Sequence, residues 1–196
     1  MKKYYAYFSV ITFTIIYSVL RYNIFNDVPW QDLPLYVLNK AVSLSIIFLI
    51  FINQFYLSKN KSLTDFRTII TSLLIMHILF SLILLSPEFY SKFFNGNKLN
   101  LIGSLSMLFG AAAISALYYY DIKNFLTVTH NSIIDKLNIE KTKIAGLIFV
   151  SLHLFAMGIK GWLTPLSWAG FLPPISLIAF IFVLIIIFMK VKILVK

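Results

Sequence analysis

The sequence predicts an all-α fold: a polytopic membrane protein, one transmembrane domain over 1–196, built as a six-helix bundle with both termini cytoplasmic. Three observations carry the prediction. The chain is 60% hydrophobic and only 12% charged, with a mean hydropathy of +0.87, well outside the range of soluble domains. Apolar segments of about 20 residues, the length that crosses a hydrocarbon core of about 30 Å, nearly tile it. All seven acidic residues fall in loops or at helix ends.

The first helix, 4–25, follows Met1-Lys2-Lys3 and resembles a secretory signal at its start. Its apolar run continues for about 20 residues without an A-x-A-like cleavage site, which marks a retained span. Helices over 36–57, 66–87, 99–120, 143–163 and 173–194 follow, leaving no room for a sizeable soluble domain. With both termini on one side, that side collects Lys2, Lys3, Lys59, Lys61, Arg67, Lys123, Lys136, Lys141, Lys143, Lys190, Lys192 and Lys196. The other keeps Arg21, Lys40, Lys92, Lys98 and Lys160. The positive-inside rule then puts the termini in the cytoplasm, the expected location being a bacterial cytoplasmic membrane. The net charge of +10 reads as topology and attraction to anionic membrane lipid, with no need for nucleic acid. Trp30, Trp162 and Trp168 all fall on the outer side, where indoles favour the interface.

The chain has no cysteine, which excludes disulfides, thiolate metal sites and iron–sulfur clusters. It has no P-loop, no G-x-G-x-x-G and no Ser/His/Asp pattern, so no nucleotide or flavin bound by this chain alone is expected. The cytosolic loop "DIKNFLTVTHNSIIDKLNIEKTK" is long enough for a short amphipathic helix with Phe125, Val128, Ile133, Ile134 and Leu137 on its apolar side, and its His130 reads as solvated. The outer loops "NDVPWQDLP" and "KGWLTPLSWAGFLPP" are rich in Pro, Gly and Trp, as fixed turns at the membrane surface would be. They either terminate and anchor helices or meet a small acceptor such as a quinone head group.

Two histidines lie deep. His77 is about 11 residues from either end of the third helix, and His153 about ten from either end of the fifth, so both are expected near mid-depth. An ionisable group there faces the bundle interior and needs a partner, and no carboxylate is available at a helix centre. A lone membrane histidine more often serves as an interhelical hydrogen-bond partner. A depth-matched pair on separate helices points instead to a shared guest. Zinc or copper would leave a tetrahedral site half filled, whereas a macrocycle needs only two axial nitrogens. One bis-His heme b fits, with His77 and His153 as iron ligands and one-electron transfer as the work. Its propionates need cations, and Arg21, Lys40 and Lys160 are the candidates. Lys160 lies two turns outward from His153 on the same helix face, about 10 Å away. For each, snorkelling to the headgroups is the competing role. In "GSLSMLFGAAAIS" the small residues Gly103, Ser106, Gly110 and Ala113 leave room for a ring or for ordinary helix packing, and Gly146, Ala156 and Gly158 flank His153.

This layout resembles the ferric-reductase-like transmembrane domain. That group contains the heme-binding membrane subunit of the methionine sulfoxide reductase system, the membrane parts of NADPH oxidases and the metalloreductases. "FRTIITSLLIMH", with Arg67 ten residues ahead of His77, is similar to the start of that family's third helix, and "KIAGLIFVSLHLFAMG" to its fifth. The resemblance covers about 36–194 and implies His77 and His153 as axial ligands. NADPH-oxidase-type members carry two histidines on each ligand helix. Here the corresponding positions are Leu63, Ser91, Ile139 and Ser167, so one heme is expected. Where that family often has a further histidine near the start of its fifth helix, this chain has Lys143, Ile144 and Ala145.

The expected role is the membrane electron-transfer subunit of an oxidoreductase, taking electrons from a cytosolic flavoprotein or a quinol to an outer-side acceptor. Two other classes use the same residues. A transporter or proton conductor would employ His77 and His153 as relays, with Ser72, Ser81, Ser106 and Ser151 along a path. A structural subunit would use them for packing alone.

Overall fold

The computed structural model describes residues 2–57, 64–126 and 133–194, and is 87% helical. Six helices of 18 residues or more stand among the described residues. They are α1 (Lys2–Val19), α2 (Leu38–Leu57), α3 (Thr64–Ile83), α5 (Leu101–Leu126), α6 (Ile133–Trp162) and α7 (Ile175–Leu194). A single turn, α4 (Pro87–Tyr90), and a two-stranded hairpin, β1 (Phe94–Asn95) and β2 (Lys98–Leu99), lie between α3 and α5. In the hairpin Phe94 pairs with Leu99 and Asn95 with Lys98. Gly96 takes the first of the two turn positions at φ 59°, as a primed hairpin turn requires.

Four helical stretches are long and apolar enough to cross a membrane: Trp30–Gln54, Leu101–Tyr119, Ile139–Trp162 and Ala169–Lys192. Arg67–Ile83 and Pro87–Phe93 would make a fifth, broken span. Helix α7 shows the solvent most clearly. Val183 and Ile186 are fully buried, yet Phe188 on the opposite side is 70% exposed and Ile181, Leu184 and Ile185 are exposed with it. A helix apolar on every face, with only 22% of its span buried in the bundle, needs lipid on the remainder. Helix α1 does not meet the same test. Tyr4, Tyr5, Tyr7, Thr12, Thr14 and Tyr17 dilute its apolar run.

The close packing falls into two trios. Helices α1 and α3 pack on α2, α5 and α7 pack on α6, and the trios join where α2 meets α7. Helix α2 is the centre, with Ala41, Leu44 and Leu49 almost fully buried along it. Leu44 and Ile47 meet Leu147, Ile175, Ala179 and Val183 in the largest core cluster. On the far side the backbone of α3 makes little close approach to α5 or α6. Paired hydroxyls of Thr71 and Tyr118, 2.9 Å apart, tie α3 to α5 on the side nearer the start of α3.

Helix limits differ from the sequence reading at several places; the fourth helix, expected over 99–120, runs on to Leu126. The third helix stops at Ile83 instead of running to 87. Pro87 supplies no N–H, and Ser86 before it is extended at φ −144°, ψ 160°, so the chain turns by 100° into α4. The fifth helix begins at Ile133 instead of 143, because "DKLNIEKTK" is polar but rich in helix formers. The backbone at Phe125, Ile133, Ile134 and Leu137 is therefore part of α5 and α6, while Val128 and His130 lie outside the described residues. The first helix widens into a π-turn at Leu20–Ile24, and a second π-turn, Leu33–Val37, leads into α2.

Candidate functional site

The site is built from residues of α2, α3, α5 and α6. The adjoining end of the bundle, carrying Trp30, Trp162 and Trp168, is called the tryptophan end below. Helix α2 presents Asn39 and Lys40 in its first turn. His77 Nδ1 lies 2.6 Å from Asn39 Oδ1, and Asn39 Nδ2 donates to Ser81 Oγ at 3.1 Å. The amide oxygen can only accept, so Nδ1 of His77 carries the proton.

His153 reaches the same tautomer by another route. Its Nδ1 is 2.8 Å from the backbone carbonyl of Ser106 and 3.2 Å from Ser106 Oγ, and a carbonyl likewise only accepts. Gly110, one turn along α5, lets the ring approach: a Cβ there would stand 3.3 Å from Nδ1. Part of the small-residue stripe therefore seats an imidazole, while Ser106 and Ala113 are buried against neighbouring helices.

Both rings thus commit Nδ1–H to the protein and make no hydrogen bond through Nε2 to the described residues. Each side chain is half-buried, and neither ring nitrogen is sealed and orphaned. A free Nε2 lone pair opposite an anchored Nδ1–H is the usual state of an imidazole that binds a metal. His77 lies within electrostatic reach of His153, and both lie within reach of Lys40.

Lys40 is held in an aromatic cage. Its Nζ donates to Tyr90 Oη at 3.1 Å and lies 4.9 Å and 4.5 Å from the ring centroids of Tyr36 and Tyr90. Tyr90 comes from α4, so the crosswise segment after α3 forms a lid at this end. Tyr36 packs on Phe89 and Tyr90, and Tyr90 stacks on Phe93. The lid reaches α6 through Lys92 Nζ, which donates to the carbonyl of Met157, one turn beyond His153. Asn100 Nδ2 in turn donates to the carbonyl of Lys92 at 2.9 Å.

His77 is six residues, about 9 Å, from the end of α3, and His153 is nine residues, about 14 Å, from the end of α6, so each lies nearer the tryptophan end of its own helix. Of the three cations expected near a shared guest, Lys40 is at the site. Arg21 turns to the carbonyl of Leu172, and Lys160 is exposed. Asn39, Tyr36 and Tyr90 were not singled out from sequence, and Ser81 was named only as a group along a relay path. The signals open to sequence reasoning were Asn39 beside Lys40 in an apolar run, Pro87 within the third hydropathy window, and the Gly96-Asn97 pair, a hairpin signature.

Among the described residues no group of three or more His, Cys, Asp or Glu side chains is placed to hold a metal ion. The pair of imidazoles can fill two coordination positions, which suits a ligand bringing the others itself. No family model, curated protein or solved structure matches this chain.

Proposed function

We propose that this chain is a heme b-binding membrane protein of the ferric-reductase-like type, with His77 and His153 as the two axial ligands of one heme. The observation that carries the proposal is the matched state of the two imidazoles. Each anchors Nδ1–H on a protein acceptor and leaves Nε2 without a hydrogen bond to the described residues. Heme so ligated supplies reversible one-electron chemistry with both axial positions filled. Asn39 and the Ser106 carbonyl orient the rings, and Lys40 brings a positive charge for a propionate. The aromatic lid of Tyr36, Phe89, Tyr90 and Phe93 keeps water from that side.

The proposal extends to topology. Six spans, both termini cytoplasmic and the tryptophan end outermost in a bacterial cytoplasmic membrane agree with the distribution of basic residues. The position of His77 and His153 toward that end favours exchange with an outer-side acceptor. It also favours a membrane quinol as donor over a cytosolic flavoprotein, since thirteen residues of α3, about 20 Å, separate His77 from the other end of its helix.

The test is an absorption spectrum of protein purified in detergent from heme-replete cells, oxidised and then reduced with dithionite, beside His77→Ala and His153→Ala. The expected outcome is a sharp low-spin b-type α band in the wild type, absent from both variants. A colourless wild type would refute heme binding and leave the relay and packing roles.

A further inference from the structure

The π-turn of α1 carries an inference independent of the histidine pair. Arg21 is 9% exposed there. Its Nη1 donates to the carbonyl of Leu172, its Nε is sealed from solvent without a partner, and its Nη2 makes no hydrogen bond to the described residues. The guanidinium is 5.8 Å from the Tyr22 ring centroid and forms no salt bridge with a carboxylate of the described residues. Guanidinium stays charged at every accessible pH, and a buried charge without a counter-ion is strongly destabilising. In the same turn Asn23 is 6% exposed. Its Nδ2 donates to the carbonyl of Val28 at 2.9 Å, while its Oδ1 is sealed and unpartnered.

The surroundings say what kind of anion would come. Along α1 and its π-turn, on both sides of Arg21 in sequence, the exposed side chains Phe13, Ile16, Leu20 and Ile24 recur at three- and four-residue spacing and form one apolar stripe. A free anion gains nothing from such a stripe. A molecule with an anionic head and long apolar chains matches both the stripe and the charge.

We propose that the π-turn at Arg21 is a phospholipid site, with the lipid phosphate on the guanidinium and an acyl chain along Phe13, Ile16 and Leu20. The phosphate supplies the missing counter-charge, and the planar fork of arginine suits two of its oxygens. Arg21 is turned to the carbonyl of Leu172, whereas Lys40, one residue from the His77 partner Asn39, is turned to Tyr90.

The experiment uses the full chain, delipidated in mild detergent and followed by thermal unfolding and native mass spectrometry. Dioleoylphosphatidylglycerol is expected to raise the melting temperature and to remain bound at one per chain. Dioleoylglycerol, with the same acyl chains and no phosphate, and inorganic phosphate alone are expected to do neither. Arg21→Gln should weaken phosphatidylglycerol binding by about tenfold, and Arg21→Lys by less, because charge remains while the fork is lost. Equal stabilisation by dioleoylglycerol, equal stabilisation by inorganic phosphate, or wild-type binding by Arg21→Gln would each overturn the proposal. Should Arg21→Gln fail to fold, the comparison of lipids on the wild type still decides.

Discussion

The two histidines reach one tautomer by different means. His77 is oriented by a side chain, Asn39, which is itself held by Ser81. His153 is oriented by the main chain of α5 at Ser106, with Gly110 clearing space for its ring. A side-chain anchor is lost with a single substitution. A carbonyl persists as long as its helix does. The α2–α3 side of the site is therefore the vulnerable one, and substitutions should separate the two sides.

Asn39→Leu is expected to act most strongly. It leaves the His77 Nδ1–H without an acceptor, and loss of such an outer partner costs about 10–100-fold in metal affinity. Heme occupancy measured by titration of the apoprotein should fall accordingly while helicity by circular dichroism is kept. Gly110→Ala comes next. Its Cβ would stand 3.3 Å from His153 Nδ1, a tight contact, and small overpacking costs about 1–3 kcal/mol, read as a lowered melting temperature and a broadened α band. Ser81→Ala removes the support of Asn39 but leaves its carbonyl oxygen in place. The loss of one neutral hydrogen bond is expected to cost about 1 kcal/mol of stability in the same melting assay. Ser106→Ala should do least, within about 0.5 kcal/mol, because the carbonyl that anchors His153 remains. A Ser106→Ala effect as large as that of Asn39→Leu would mean that the hydroxyl, not the main chain, sets the ring.

Much of this was legible in the sequence where hydropathy decides. Six long helices, with His77 on the third and His153 on the fifth, follow from counting apolar runs. Hydropathy could not see punctuation. A window average passes over Pro87, so the break that leads into α4 and forms the lid was hidden within an apolar segment. Nor could it see orientation. Arg21 and Lys40 have equal standing as cations near the same side, but the π-turn aims Arg21 at Leu172, while the first turn of α2 aims Lys40 at Tyr90. The pairing of His77 with Asn39 depends on the packing of α3 on α2, across 38 positions of sequence.

The most direct test of the central claim is a low-temperature electron paramagnetic resonance spectrum of the oxidised wild-type protein. Ligation by both His77 and His153 predicts a rhombic low-spin ferric signal from one heme per chain, converted to high spin in each single alanine variant that retains heme. A high-spin signal in the wild type, or no ferric heme signal at all, would contradict it.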